Sequence, residues 1–592
     1  MNFIKQIIAV IIGFFIALTI FLAISFIGLI ILIGIATKVQ IIQDFDDKSV
    51  LKITLSGEIK EKSDDDDPLE MLNFLIGDET ETPIGLLDIH DVIRHASENS
   101  QIKGILLHLN TVNLQSASLE EIRKALEDFQ KKDKFVIAYG EFMSESAYYI
   151  ASVADEIYLH PEGFLEFNGY SVESVFLKGT FEKLGIKPEI FRVGAYKSAV
   201  EPFLLDKMSK NNREQTLSYV NSLYLTYLQN ISKSRQKNLQ TLWKVADEML
   251  VRSADEAVSY GLVTEKLYYD QVLKRIQDLL QISENQDIRF ISAENYYRKI
   301  IASETEIKRS FSSKIAVLVA EGEIVYAGNQ PNQISSINFV RQLQKLRKDS
   351  TVKAIVLRIN SPGGSALASD NLWREIHLTS EVKPVIASLS DVAASGGYYM
   401  AMACDSIVAL PNTITGSIGI FAILFNTQDF FKEKLGITFD NVKTGKFADI
   451  AEGFRPLTET ERNIIQQQVE KSYETFTQKA AKDRNLPLEK LLAVAEGRIW
   501  TGNQALKNGL VDIEGGILTA IKIAAEKANV ADYQVVYYTA ERDLWDKLKE
   551  SGLSYMKNTK LFSYFCKIEE EILSLIQDPD IKARMPYLTV KL

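Results

Sequence analysis

The sequence predicts an α/β protein built as two tandem copies of one domain behind an apolar N-terminal segment. Three observations predict it. The chain repeats its own motifs at a spacing of about 250 residues. Within each copy, short β-branched runs alternate with amphipathic helical patterns. The stretch from Ile7 to Ala36 carries no charged residue.

The N-terminal stretch comes first in the chain. As a helix it would be roughly 45 Å long, against a hydrocarbon core of about 30 Å. It is long enough to span a bilayer with some tilt. A cleaved leader would have a shorter apolar region and small residues at a cleavage site. Ile35, Ala36 and Thr37 do not supply such a site. We therefore expect residues 1–40 to form one uncleaved transmembrane anchor. Lys5 precedes the stretch and Lys38 follows it, so the distribution of basic residues orients it only weakly.

The repeat is extensive. KGILLHLN (103–110) matches KAIVLRIN (353–360), VIA (136–138) recurs at 385–387, and AYY (147–149) matches GYY (397–399). LGI recurs at 184–186 and 435–437, and GLV at 261–263 and 509–511. The order is kept throughout. Ile315–Val319 and Ala354–Ile359 read as buried strands. Residues 337–348, 430–435, 459–484 and 517–528 read as helices from their apolar spacing. Strands alternating with helices imply parallel pairing. The first copy is set at 45–301 and the second at 313–540, joined through the polar stretch 302–313. Residues 61–68, with four aspartates in a row, read as a solvated loop. Residues 541–592 have no counterpart in the first copy and form a tail.

Composition narrows the function. The formal charge is −11, and no basic stripe offsets it, which excludes nucleic acid as a partner. Two cysteines, Cys404 and Cys566, make neither a disulfide framework nor a paired zinc site. Cys404 sits in an apolar run and reads as a small core residue.

The copies differ where chemistry would lie. In the second, the strand ending at Asn360 runs into Ser361, Pro362, Gly363, Gly364 and Ser365. Glycines after a strand let backbone N–H groups point outward together, as an oxyanion hole requires. Further on, Ser395 is followed by Gly396 and Gly397 at the start of a helical pattern, where free N–H groups favour negative charge. Taken singly, the first motif could be an ordinary turn and Ser395 an ordinary N-cap. The first copy has Glu145, Ser146 and Ala147 in place of the serine motif, and Thr111, Val112 and Asn113 in place of the glycine loop. Conversely, the first copy has GAYKS (194–198) where the second has GKFAD (445–449), so Lys197 stands opposite Ala448. One copy keeps a serine and the other a lysine. Serine needs a base to become a nucleophile. None of the five histidines, His90, His95, His108, His160 and His377, lies in a motif beside either stretch. A lysine can serve if an apolar site pulls its pKa towards neutrality.

These motifs, with VGAYKSAVEPF (193–203), TGSIG (415–419) and GRIWTG (497–502), resemble the signal peptide peptidase A family in its long, duplicated form. The resemblance covers nearly the whole chain. It implies tandem Clp-protease/crotonase-like domains and a Ser/Lys-dyad endopeptidase, with Ser395 as nucleophile and Lys197 as general base. It also implies that Ser417 orients the lysine and that the N–H groups of Gly363 and Gly396, with Gly364 beside them, form the oxyanion hole. No cofactor or metal is implied. The expected substrates are remnant signal peptides and other unstructured apolar peptides. The expected form is a homotetramer on the inner membrane of a bacterium, its catalytic body on the periplasmic side. Two other readings are carried: a crotonase-type acyl-CoA enzyme, which would need a carboxylate acid/base, and a non-catalytic peptide-binding scaffold.

Overall fold

The computed structural model describes residues 47–55, 57, 59–63, 84–307, 313–328, 330, 332–539, 582–585 and 589–591, together with 17, 18 and 21. The expected anchor, residues 1–40, lies almost wholly outside the described residues, as does most of the tail 541–592. Among the described residues no helix is long and apolar enough to cross a membrane. One structural unit comprises residues 48–64 and 83–592, and the description below concerns it alone. The other, residues 1–47 and 65–82, is made almost entirely of residues outside the described set.

The first sheet is laid down by β1 (Ser49–Thr54), β2 (Ile102–His108), β3 (Phe135–Met143) and β4 (Glu156–Leu165). Two strands that pair elsewhere follow, β5 (Ser171–Glu173) and β6 (Lys187–Val193), and then β7 (Glu265–Lys266) and β8 (Phe290–Ser292). The sheet order is β7-β4-β3-β2-β1-β8, and every pairing is parallel. The second half begins with β9 (Lys314–Glu321), β10 (Glu323–Val325), β11 (Gln333–Ser335), β12 (Val352–Ser361) and β13 (Gly363–Ser365). It continues through β14 (Val385–Ala394), β15 (Ser406–Ala409), β16 (Ile414–Gly416), β17 (Ile420–Asn426), β18 (Ile499–Thr501), β19 (Ile513–Glu514) and β20 (Gln534–Tyr538). Its parallel path β19-β15-β14-β12-β9-β20 repeats the order of the first sheet strand for strand.

Central strands buried on both faces read as continuous apolar runs. In β12, Ile355 and Leu357 join one core with Phe339, Leu343, Leu372 and Ile376. The alternate residues Ala354 and Val356 join the core on the other face, with Ile517, Ile521 and Ala524. The expected helices form at Ser336–Lys348, Glu459–Asp483 and Ile517–Lys527. Phe430–Lys434 is a single π-helical turn with no buried side chain.

A third sheet positions the site. Its order is β11-β10-β13-β21-β17-β6, where β21 is Lys582–Arg584 from the tail. Strand β6 of the first half pairs antiparallel with β17 of the second, from Val193 opposite Ile420 to Lys187 opposite Asn426. A last strand, β22 (Thr589–Lys591), pairs antiparallel with β5.

One expectation is corrected. The segment 61–68 does not begin as a solvated loop, because Glu61 and Lys62 are buried. Glu61 accepts from Arg358 Nε at 2.8 Å and from Asn360 Nδ2 at 3.0 Å. Lys62 pairs with buried Asp88 at 2.7 Å. A buried carboxylate persists where a cation meets it. Here the cation lies 297 residues away, beyond the reach of local charge composition.

Candidate active site

Strand β14 ends at Ala394, and the chain turns sharply through Ser395 into the helix Gly396–Ala401. Ser395 has φ +56° and ψ −112°, a conformation that L-residues avoid and that is held only where the surroundings over-determine it. Its N–H donates to Gly416 O at 2.8 Å, and its carbonyl accepts from Tyr399 N at 2.9 Å. The hydroxyl makes no capping bond to the helix that follows, so Ser395 is not an ordinary N-cap. Strained strand-to-helix turns of this kind place a nucleophile at the top of a sheet.

Lys197 arrives through the third sheet. Because Val193 pairs with Ile420, the residues after β6 and those before β17 leave the sheet at the same end. Those residues are Gly194–Lys197 and Ser417–Gly419. Lys197 Nζ lies 2.8 Å from Ser395 Oγ, and 3.2 Å from both Ser417 Oγ and Ser417 O. Lys197, Ser395 and Ser417 are all fully buried. Burial pushes the lysine amine well below its ordinary pKa, since the charged form loses its hydration with no carboxylate to replace it. Drawn as an ammonium, Nζ donates to Oγ. As a neutral amine it can accept the hydroxyl proton across the same contact.

Two glycines make room for the lysine. A Cβ on Gly497, at φ +76°, would stand 2.7 Å from Lys197 N, Cα and Cβ. One on Gly419 would stand 3.2 Å from Lys197 Cδ. This accounts for Gly419 in the 415–419 motif and Gly497 in the 497–502 motif. Sequence reasoning missed Gln215, on the helix Lys210–Arg235. Its buried amide donates to Tyr196 O at 2.9 Å and Ser198 Oγ at 3.0 Å, and accepts from Ile499 N at 3.2 Å. It thus ties both neighbours of Lys197 to the strand after Gly497. No motif signals a glutamine in a polar-looking helix.

Of the two glycines singled out for an oxyanion hole, Gly396 follows the serine directly and Gly363 opens β13. Gly396 is the first residue of its helix, so its N–H has no partner within that helix. Gly363 has φ +100°, and its N–H donates to Ser361 Oγ at 3.2 Å. Gly364 is packed against β10, where a Cβ would stand 2.0 Å from Ile324 O.

Below the glycine loop, first-half residues buttress β12 and β14. Buried Arg358 donates to Glu61, Glu121, Ser388 and Ser390. Asn360 Oδ1 accepts from Val392 N at 3.2 Å. Asp391 accepts from Ala117 N and Ser118 N, both at 2.9 Å, and from Ser118 Oγ. Burial raises the Asp391 carboxyl to about 6.

A buried serine on a strained turn, in contact with a desolvated amine, has the parts of a hydrolase that works through an activated serine. The chain matches the model of Peptidase family S49 at residues 128–283 and again at 377–531, and that of Clp protease at 307–415. It is 35% identical over 476 residues to Protease 4 of Salmonella typhi, covering 79% of this chain and 76% of that protein. It is 31% identical over 565 residues to Protease 4 of Haemophilus influenzae, covering 91% of each. To the protein named Serine protease SPPA, chloroplastic, of Arabidopsis thaliana it is 32% identical over 488 residues, covering 81% and 69%. The chain belongs to peptidase family S49, with the family's domain present twice, and is a serine protease. The resemblance to signal peptide peptidase A is borne out, and the acyl-CoA alternative falls away.

Proposed function

We propose that the chain is a Ser/Lys-dyad endopeptidase whose catalytic groups are divided between its halves. The first copy, 45–301, supplies Lys197 as general base, and the second, 313–540, supplies Ser395 as nucleophile. The observation that carries this reading is the 2.8 Å contact between Lys197 Nζ and Ser395 Oγ in a fully buried setting.

The neutral amine of Lys197 takes the Ser395 proton as Oγ attacks the scissile carbonyl. The oxyanion is stabilised by the N–H groups of Gly396 and Gly363, the latter leaving Ser361 Oγ to do so. Each such donor contributes about 3–4 kcal/mol in other enzymes. The lysine, now an ammonium, returns its proton to the departing amine. Water then attacks the acyl-enzyme by the same route and releases the acid product. Ser417 accepts from the amine through Oγ and O, and so fixes where its lone pair points.

The substrates are unstructured apolar peptides, remnant signal peptides among them. Residues 1–40 anchor the chain by a single pass in the bacterial inner membrane, with the catalytic body on the periplasmic side as a homotetramer. The uncharged run 7–36 and the resemblance of the motifs support that part of the reading. The test is cleavage of an unstructured apolar peptide by Ser395→Ala and Lys197→Ala. Both variants should be inactive with unchanged circular dichroism, and retained activity in either would sink the assignment.

A further inference from the structure

The motif 497–502 carries two residues that the chemistry has not yet used, Arg498 and Trp500. The main chain just ahead of β18 bonds to both loops that hold the base. On the lysine loop, Tyr196 N–H donates to Glu496 O at 3.0 Å. On the serine loop, Gly497 N–H donates to Ile418 O and Ser417 N–H donates to Arg498 O, each at 2.7 Å. The Arg498 side chain returns to the lysine loop. Its guanidinium carbon lies over the Tyr196 ring, 4.7 Å from the centroid, and over the Trp500 ring at 4.6 Å. Tyr196 is the residue before Lys197. Hydrogen bonds do not account for this placement. Arg498 Nε is buried with no hydrogen-bond partner among the described residues, and the ion pair to exposed Glu214 is long at 3.5 Å. The ring contacts hold it.

A planar guanidinium suits this place, because it stacks on aromatic faces and is only weakly hydrated. The need for such a hold lies in the lysine itself. Its amine sits at the end of a flexible four-carbon stem, so a small tilt of its main chain is enlarged at Nζ. We propose that Arg498 is a positioning residue of the active site. Its carbonyl holds the Ser417 loop while its guanidinium, lying on the Tyr196 ring, holds the residue before Lys197. The base and the serine that orients it are thereby fixed to one residue and keep a common register. Arg498 does not touch the reacting atoms; it acts through Tyr196 and Ser417. This rests on the reading of Ser395 and Lys197 as the reacting pair.

The test is steady-state cleavage of an unstructured apolar peptide by the full chain and its variants, with circular dichroism taken on each. Arg498→Met keeps an unbranched side chain and removes the plane. Tyr196→Leu removes the ring. Each should lower kcat at least about tenfold while KM holds, because a displaced base slows the chemical step and leaves substrate binding alone. Tyr196→Phe, which keeps the ring without its hydroxyl, should recover most of the kcat that Tyr196→Leu loses. The double variant Arg498→Met/Tyr196→Leu should fall within about twofold of the weaker single variant, since both changes remove one contact. The pH midpoint of kcat should not move, since burial and not the guanidinium depresses the lysine amine. Wild-type kcat in both single variants, additive losses in the double variant, or a shifted midpoint overturns the proposal. If Arg498→Met does not fold, the two Tyr196 variants decide alone, and equal kcat in them overturns it. Lys197→Ala is measured alongside. If it is inactive while the Arg498 and Tyr196 variants match the wild type, only the role of Arg498 is refuted. If it stays active, the underlying reading of the dyad fails.

Discussion

Replacing Lys197 with methionine should alter how stability depends on pH, and this can be worked from burial. Lys197 is fully buried, and burial holds its amine well below the ordinary lysine pKa of 10.5. Between that depressed value and 10.5, the unfolded chain binds a proton that the folded chain does not. Stability therefore rises with pH across this window, by about 1.4 kcal/mol per pH unit from this one group. The cost of burying the amine is greatest at the lower end of the window and vanishes above the unfolded pKa. Lys197→Met removes it. The variant also loses the contacts to Ser395 and Ser417, at about 1 kcal/mol each, but that loss does not vary with pH. The slope is thus the readout, not the absolute stability. Urea unfolding at a series of pH values should show the wild type gaining on Lys197→Met as pH rises. Parallel curves would mean that Lys197 is charged in the folded protein, and the general-base argument would fail.

Three further outcomes follow from the packing around the dyad. Gly497→Ala puts a Cβ at a left-handed φ, at roughly 1–2 kcal/mol, and against the Lys197 backbone. A displacement on the order of 1 Å should lower kcat/KM about 100-fold, with circular dichroism unchanged. Gln215→Leu unties Tyr196 and Ser198 from Ile499, and steady-state kinetics should show kcat falling while KM holds. Arg358→Met leaves Glu61 and Glu121 buried without their cation. It should destabilise the fold by about 3–5 kcal/mol, read as a lower urea midpoint.

Much of this was legible in the sequence because duplication gives an internal control. Where one copy keeps SGG and the other has ESA, the difference marks chemistry without any aligned relative. Apolar runs such as 354–359 gave the strands, since alternate residues feed two cores. What could not be read depends on distant partners. Glu61 looked solvated because its arginine is 297 residues away. Gln215 carries no sequence signal because the groups it binds, Tyr196 O, Ser198 Oγ and Ile499 N, are brought together only by the fold. The tail had no counterpart to compare with, and a three-residue strand such as Lys582–Arg584 has too little periodicity to be recognised. The meeting of Lys197 with Ser395 depends on β6 pairing with β17, a register no local pattern encodes.

The most direct test is mass-spectrometric mapping of a serine-directed fluorophosphonate. Neutral Lys197 beside Ser395 predicts modification at Ser395 in the wild type, rising with pH and lost in Lys197→Ala. Equal modification in that variant, or a label carried by another serine, would contradict an amine-activated Ser395.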